Sequence, residues 1–188
     1  MASQFSNEKI RRALIDIDNT LWDFAPLLYE KLKLINPSVP PPQSWLRWDF
    51  FKDYVSAEVF YGVIEEIHKR QDEYGVFPDA KRFLEGIRAL GLKIVIGSHR
   101  NRSAEEATLR WLKKHDLPFD ELHLSYDKTV LFGSVDLVVD DSPFVHEKAK
   151  SFGIMALGIE YPWNRNFDLL LFKNLTEILL YLENHLNS

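Results

Sequence analysis

The chain alternates short apolar runs with longer segments in which apolar residues recur every three or four positions. Four β-branched runs are typical of buried strands: Ala13–Ile17, Leu92–Gly97, Val135–Val139 and Ile154–Ile159. The intervening periodicity is that of amphipathic helices. Strands that alternate with helices predict an α/β fold, with a parallel sheet covered on both faces.

Four segments have the helical pattern together with signals at their ends. A glycine, Gly91, follows the first segment as a typical C-terminal stop. Ser103 and Glu106 have the spacing of a capping box, and Pro143 suits the first turn of a helix. The predicted helices are Asp79–Leu90, Ser103–His115, Pro143–Phe152 and, closing the chain, Leu169–Leu186.

About 75 residues separate the first two predicted strands, which is more than one crossover helix needs. Ala25–Ile35 and Glu58–Arg70 have helical patterns, and prolines and aromatic residues lie between them. We predict that residues 26–77 form a small helical cap over one end of the sheet. Residues 1–25 and 78–188 then form the core. The plainest interpretation of the aromatic residues of the insert is that they pack as its own core.

Composition narrows the classes of function. The 188 residues include 28 acidic and 23 basic side chains, a formal net charge of -5. Polymeric nucleic acid is a poor candidate partner, because binding to it depends on basic surface. Cysteine is absent, which excludes disulfides, zinc–thiolate sites and thiol nucleophiles. No apolar run approaches the ~20 residues that span a bilayer, and no signal-peptide pattern is visible, so we expect a cytoplasmic protein without a membrane partner.

Acidic side chains follow two of the predicted strands, at the edge where ligands bind in open parallel sheets. Asp16 and Asp18 lie in a DxDxT pattern directly after the first strand. Two carboxylates this close repel unless a metal or a proton holds them, and Mg²⁺ prefers such oxygen ligands. Asp140 and Asp141 follow the third strand and can complete a magnesium site. Alternatively, Asp141 or Ser142 caps the next helix.

Three further positions offer groups for phosphate. Ser98 ends the second strand with a hydroxyl beside backbone N–H groups, although a plain loop is the alternative. Lys128 precedes the third strand and can bind phosphate oxygens as a point charge, although a lone lysine is usually a surface residue. His99 and Arg100 can reach phosphate or sugar, but a basic pair at a helix entry is more often solvated.

Taken in order, the DxDxT pattern, a strand-end serine, a lysine and a paired aspartate resemble the haloacid-dehalogenase (HAD) superfamily of phosphatases over residues 13–160. The resemblance implies a Rossmann-like HAD core with a small helical cap of the C1 type. The 5′(3′)-deoxyribonucleotidase family and its bacterial relatives are more closely similar, at Asp16–Phe24, Trp111–His115, Leu122–Ser125, Asp127–Val130, Val135–Asp141 and Pro162–Arg165. Asn19 stands where that family usually has glycine. The stretch from Asn19 to Trp22 also resembles the magnesium-dependent phosphatase branch.

The resemblance implies a Mg²⁺-dependent phosphomonoester hydrolase that acts on (deoxy)nucleoside monophosphates through an aspartyl-phosphate. Asp16 is the implied nucleophile and Asp18 the acid and base. The implied metal set is Asp16, Asp18, Asp140 and Asp141, and the phosphate set is Ser98, His99 and Lys128. Phe24 matches an aromatic residue that lies against the base in the nucleotidase family. Trp45 and Trp48 of the insert complete the predicted substrate set as stacking residues, with packing inside the insert as the alternative. A phosphatase for a sugar phosphate or another small ester, and a catalytically silent HAD scaffold, are the alternatives. We expect a small phosphorylated metabolite as partner, and a monomer or homodimer.

Overall fold

A parallel sheet organises the residues that the structure, a computed structural model, describes, which are 12–186. Within them the strands pair in the order β3-β2-β1-β4-β5-β6, and every pairing is parallel. The strands are β1 (Arg12–Ile15), β2 (Lys93–Ser98), β3 (Glu121–Leu124), β4 (Leu137–Val139), β5 (Met155–Ile159) and β6 (Leu170–Phe172). Residues 1–11 and 187–188 of the predicted core lie outside the described residues. The α/β prediction is confirmed.

Helices connect the strands and cover both faces of the sheet. They are α1 (Phe24–Ile35), α2 (Ala57–Lys69), α3 (Ala80–Ala89), α4 (Glu105–Lys114), α5 (Pro143–Ser151) and α6 (Leu175–Leu186). Successive residues of a strand point to opposite faces, so Ala13 and Ile15 join one buried cluster while Leu14 joins another. The first cluster includes side chains of α1–α4 and α6, and the second includes Ala149 of α5.

The end of β1 lies at the centre of the sheet. β1 pairs with β2 on one side and with β4 on the other, and the strand order reverses direction between β1 and β4. The backbone N–H of Asp16 continues this pairing by donating to the carbonyl of Val139 at 2.9 Å. Ligands of open α/β sheets bind outside the carboxyl ends of strands at such a reversal.

The closing segment differs from the prediction of one long helix from Leu169 to Leu186. Its first residues form the edge strand β6, and the backbone N–H of Glu160 donates to the carbonyl of Phe172 at 2.8 Å. The helix α6 begins only at Leu175. A continuous apolar run such as residues 169–172 fits a strand and a helix equally well, so periodicity alone does not separate them.

The start of α4 also differs from its prediction. Ser103 and Glu106 do not form a capping box; a 3₁₀ turn spans Arg102–Ala104, and α4 begins at Glu105. The cap is Asn101, whose side-chain oxygen accepts from the N–H of Ser103 at 2.8 Å. The polar residue that satisfies the first free N–H groups therefore stands two positions earlier than expected.

The predicted insert, residues 26–77, contributes no strand to the sheet among the described residues. It holds α1 except its first two residues, all of α2, and the 3₁₀ segments Pro42–Ser44, Phe50–Asp53 and Gln71–Glu73. Aromatic rings pack within it: Trp45 stacks on Phe50 with centroids 3.9 Å apart, and Phe51 stacks on Phe60 at 3.8 Å. The insert therefore has an aromatic core, while its boundaries stay a prediction. None of the helices in the described range has the length and apolarity needed to cross a membrane.

Candidate active site

A tight turn after β1 presents the two aspartates of the DxDxT pattern. The N–H groups of Thr20 and Leu21 both donate to the carbonyl of Ile17, at 3.2 and 2.8 Å. Asn19 has a left-handed backbone with φ of 55°, a conformation that asparagine adopts more readily than most residues. Its side chain accepts from the N–H of Ala25 at 2.9 Å and donates to Asp141 Oδ2 at 3.0 Å. Asn19 thus ties this turn to the end of β4.

Three buried carboxylates meet at the ends of β1 and β4. Asp16, Asp140 and Asp141 each offer an oxygen within 4.8 Å of the others. Lys128 Nζ donates to Asp16 Oδ1 at 2.6 Å and to Asp140 Oδ2 at 2.5 Å. One ammonium does not balance three carboxylates, and an uncompensated buried charge is costly. This all-oxygen set with excess negative charge fits a hard divalent cation such as Mg²⁺.

The protonation of this cluster reflects its burial. Burial raises the pKa of Asp16 to about 7, with Lys128 opposing the rise and the charges of Asp140 and Asp18 adding to it. Burial, together with Asp140 and Asp16, raises the pKa of Asp141 well above its ordinary value. Burial acting alone would lower the pKa of Lys128, but the carboxylates of Asp140 and Asp16 hold it above its usual value. Lys128 is therefore charged, and added positive charge here would favour the ionised carboxylates.

The carboxylate of Asp18 has different surroundings. Arg100 Nη2 donates to Oδ1 at 2.8 Å, Trp22 Nε1 donates to the same oxygen at 2.9 Å, and His68 Nε2 lies 2.8 Å from Oδ2. Burial acting alone would raise the pKa of Asp18, but the charge of Arg100 and the hydrogen bond with His68 outweigh it and hold the pKa below its ordinary value. The two aspartates of one motif are therefore placed in opposite electrostatic environments.

Arg100 is the site residue that sequence reasoning most clearly misjudged. The sequence predicts that Arg100 either reaches phosphate or sugar or is solvated at a helix entry, and the solvated alternative is wrong, because Arg100 is 1% exposed. Its Nε donates to Ser98 Oγ at 2.8 Å, and its Nη1 donates to Gln71 Oε1 at 3.1 Å and Thr108 Oγ1 at 3.0 Å. Its position two residues after Ser98 was the only sequence signal available.

The three predicted phosphate-binding residues occupy different positions. Lys128 and His99 both line the cavity described below. His99 packs edge-to-face against Tyr126 at 5.1 Å between ring centroids, and burial, followed by the charge of Lys128, lowers its pKa. Ser98 is fully buried, and its hydroxyl oxygen accepts from Arg100. It is not among the described residues that line the cavity, so its contact with phosphate stays a prediction.

A cavity of about 660 Å³ lies over the carboxylates, a size typical of sites for small molecules. Asp16, Asp18, Asp140 and Asp141 line one part of it, and aromatic side chains form much of the rest: Phe24, Trp45, Phe50, Phe60 and Trp163. Trp45 is 3% exposed and mostly used in packing, whereas Trp48 is 40% exposed and meets Phe144 edge-on at 6.4 Å. The structure therefore brings all three predicted substrate residues, Phe24, Trp45 and Trp48, to the same cavity.

Hydrogen bonds to backbone groups hold Asp140 and Asp141 in place. Asp140 Oδ1 accepts from the N–H of Ser142 at 2.9 Å, and neither Asp141 nor Ser142 caps α5 with its side chain, so that alternative is wrong. His146 Nε2 lies 2.7 Å from the carbonyl of Asp140, and Asn164 donates to the carbonyl of Asp141 at 3.0 Å. No sequence pattern marks His146 as a site residue, and Asn164 lies in the Pro162–Arg165 segment that resembles the nucleotidase relatives.

Neither a protein-family model nor a curated protein matches the sequence. Solved structures do share its fold. A predicted phosphoglycolate phosphatase from Haemophilus somnus 129pt is 16% identical with a TM-score of 0.63, covering 94% of this chain and 99% of that one. A HAD-superfamily hydrolase from Ehrlichia chaffeensis is 14% identical with a TM-score of 0.59, covering 97% and 100%. A dehalogenase is 16% identical with a TM-score of 0.56, covering 93% and 97%.

The chain therefore has the α/β fold of HAD-superfamily hydrolases. The similar structures carry names from more than one reaction class, a phosphatase and a dehalogenase among them. A fold of this kind hosts several chemistries, so the reaction has to be argued from the side chains of the site.

Proposed function

We propose that this protein is a Mg²⁺-dependent phosphomonoester hydrolase that acts on (deoxy)nucleoside monophosphates. The observation that carries the proposal is the cluster of Asp16, Asp140, Asp141 and Lys128 at the carboxyl end of β1 and β4. It combines a nucleophilic carboxylate, a set of oxygen ligands and a cation for phosphate oxygens within one buried site.

The proposed metal ligands are Asp16, the backbone carbonyl of Asp18 and Asp141, with Asp140 as a partner. All are oxygen donors, which suits Mg²⁺. When bound, Mg²⁺ supplies positive charge that offsets the repulsion between an anionic nucleophile and an anionic phosphate. The excess of carboxylates over cations in this site supports that assignment.

The reaction we propose has two balanced steps. In the first, Asp16 attacks the phosphorus, an Asp16–phosphate bond forms, and the bond to the leaving oxygen breaks as Asp18 gives that oxygen a proton. In the second, Asp18 takes a proton from water, the water oxygen attacks phosphorus, and phosphate leaves Asp16. Lys128, His99 and Ser98 bind the phosphoryl oxygens during both steps. The donors around Asp18 favour its anion, the form that serves as base in the second step, so the first step draws on the smaller protonated fraction of Asp18.

The aromatic walls of the cavity support a substrate with a flat ring. Phe24, Trp45 and Trp48 are the proposed contacts to the base, and stacking contributes roughly 1–3 kcal/mol per base in single-strand binders. A phosphatase for a sugar phosphate or another small ester would use the same carboxylates with a different fit to these walls. A silent scaffold would bind a ligand there without turning it over.

Phosphate release from a panel of nucleoside monophosphates and sugar phosphates, with Mg²⁺ and with EDTA, tests the proposal. Asp16→Asn serves as the control for contaminating activity and should abolish turnover. Mg²⁺-dependent release led by deoxynucleotides supports the nucleotidase assignment. Release led by sugar phosphates keeps the mechanism and overturns the substrate. No release from any ester, or release that persists in Asp16→Asn, contradicts the proposed reaction.

A further inference from the structure

Two side chains from distant parts of the chain hold the carboxylate of Asp18. Arg100 follows β2 and is 82 positions away, while His68 lies on α2 of the insert, 50 positions away. Each contacts a different oxygen, Arg100 the Oδ1 and His68 the Oδ2. A carboxylate held at both oxygens cannot rotate without losing a hydrogen bond, so its orientation is set by Arg100 and His68 together with Trp22, whose Nε1 also donates to Oδ1.

All three nitrogens of the Arg100 guanidinium donate hydrogen bonds. Besides Asp18, it donates to Ser98, to Gln71 at the end of the insert, and to Thr108 of α4. A buried guanidinium is costly unless it is paired and hydrogen-bonded, and its planar fork imposes a fixed geometry on its partners. Arg100 therefore fixes the distance between the Asp18 carboxylate and the end of β2.

His68 brings the insert into the same contact. Its side chain is 2% exposed and packs against the ring of Phe24, with centroids 5.7 Å apart. The insert thus touches the core at the carboxylate that exchanges protons in the proposed reaction. A misplacement of about 1 Å in such a group can cost on the order of a hundredfold in rate.

We propose that His68 and Arg100 are positioning residues that orient Asp18 for proton transfer to the leaving oxygen. The inference rests on the proposed function, because it concerns the orientation of the Asp18 carboxylate within that reaction. The insert then controls the geometry of proton transfer as well as the walls of the cavity. Neither residue is assigned a contact with the substrate.

Two esters with the same ring separate positioning from general support of the fold. Phenyl phosphate releases a basic phenolate that needs a proton, whereas 4-nitrophenyl phosphate releases a stable anion that needs little help. The ratio kcat/KM reports the steps up to the first phosphoryl transfer, which includes departure of the leaving group. An Asp18 carboxylate in the wrong orientation should therefore lower kcat/KM for phenyl phosphate much more than kcat/KM for 4-nitrophenyl phosphate.

The variants to compare are His68→Leu, His68→Gln and Arg100→Lys, with His185→Leu on the exposed side of α6 as the control. General acid catalysis contributes roughly 10²–10⁴-fold, so we expect His68→Leu to lower kcat/KM for phenyl phosphate at least about tenfold more than for 4-nitrophenyl phosphate. His68→Gln keeps an N–H donor and should recover part of that difference. His185→Leu should leave kcat/KM for both esters unchanged.

Equal losses on the two esters would overturn the inference, since a purely structural residue lowers both alike. Thermal unfolding of each variant shows whether it folds. If His68→Leu does not fold, Arg100→Lys makes the same comparison, because it keeps the charge but loses the fork that holds Asp18 and Ser98. A native protein that releases phosphate from neither these esters nor any nucleoside monophosphate would overturn the proposed function itself, a result distinct from equal losses in the variants.

Discussion

Two aspartates at the end of β1 have pKa values shifted in opposite directions. Asp16 and Asp18 are two positions apart, yet burial raises the pKa of the first and the charge of Arg100, working against burial, lowers that of the second. A motif alone could not reveal this difference. It depends on which side chains approach from β2, from the insert and from the segment before β4.

The raised pKa of Asp16 predicts a pH dependence of stability in the absence of divalent cations. Its pKa is about 7 in the folded protein against 3.8 ordinarily, so its contribution is full below about 3.8 and is lost as pH rises through 7. Asp141 acts in the same direction. The lowered pKa values of His68, His99 and His146 add stability over the same range. We therefore expect the free energy of unfolding in EDTA to change less favourably from pH 5 to pH 8 in the native protein than in Asp16→Asn.

Thermal or urea unfolding in EDTA at the two pH values measures this change. Asp16→Asn removes the titrating group and should make stability at pH 8 more favourable relative to pH 5, while Mg²⁺ should raise the stability of the native protein most at pH 8, where the carboxylates are ionised. A stability that rises with pH in EDTA and does not respond to Asp16→Asn would contradict the assignment.

Asn19 predicts two separable effects, because it has both a positive φ and a side chain that bonds to Asp141. Asn19→Gly keeps the left-handed backbone but removes the side-chain bonds, whereas Asn19→Ala loses both. We expect Asn19→Ala to be less stable than Asn19→Gly by about 1 kcal/mol, the cost of placing a Cβ in this conformation. Both variants should weaken Mg²⁺ binding similarly, measured by titration calorimetry. Equal stability would mean that the turn adapts to alanine.

Short strands bring the functional groups together through the packing of their backbones. β4 has three residues, and Gly158 on the neighbouring strand β5 lies against the carbonyl of Asp140. A Cβ at Gly158 would collide with that carbonyl and would lie 2.9 Å from His146 Nε2. The absence of a side chain at this position therefore keeps Asp140 in place.

Gly158→Ala is expected to cost about 1–3 kcal/mol, because backbone rather than a flexible side chain has to move. It should also reduce phosphate release, since Asp140 moves with its carbonyl. Gly86→Ala is the matched comparison, because a Cβ there would meet only the flexible side chain of Leu179, far from the carboxylates. Chemical denaturation and activity together test the pair, and an activity loss in Gly86→Ala as large as in Gly158→Ala would contradict this explanation.

The elements also show where sequence reasoning succeeds. β1, β2, β4 and β5 were predicted because each is a compact apolar run followed by a polar turn. β3 was not predicted as a strand, since Glu121 and His123 interrupt its apolar pattern. The sequence predicts the start of a helix where β6 lies, because residues 169–172 are apolar without periodicity. Asp16, Asp140 and Asp141 were accessible from sequence because they directly follow strands, whereas His68 and Arg100 reach Asp18 only through tertiary packing.

Residues of the insert and residues that follow the strands together line the cavity. Trp48 of the insert and Phe144 of α5 are both largely exposed and meet edge-on. Trp45, in contrast, is buried against Phe50 and Trp163. The two tryptophans that sequence reasoning treated alike therefore have different surroundings, one accessible to a ligand and one largely used in packing.

Trp48→Ala is expected to raise KM for a nucleotide without changing kcat/KM for a small phosphate ester, because it removes a wall but no reacting group. Trp45→Ala should instead lower stability by roughly 3–5 kcal/mol, as expected for a buried tryptophan. Steady-state kinetics on both substrates and thermal unfolding distinguish the two outcomes. Equal losses on both substrates in Trp48→Ala would show that this residue is structural.

The pairing of β1 at the centre of the sheet has a consequence for how the protein folds. Ala13 pairs with Ile94 on one side and with Leu137 on the other, so β1 finds its partners only after long stretches of chain have been made. Contacts so distant in sequence are typically slow to form, because chain entropy is lost before they add stability. Asp16 thus meets the adjacent carboxylates of Asp140 and Asp141 only when β4 docks, and a chain emerging from the ribosome keeps Asp16 apart from that pair until the residues of β4 have been synthesised.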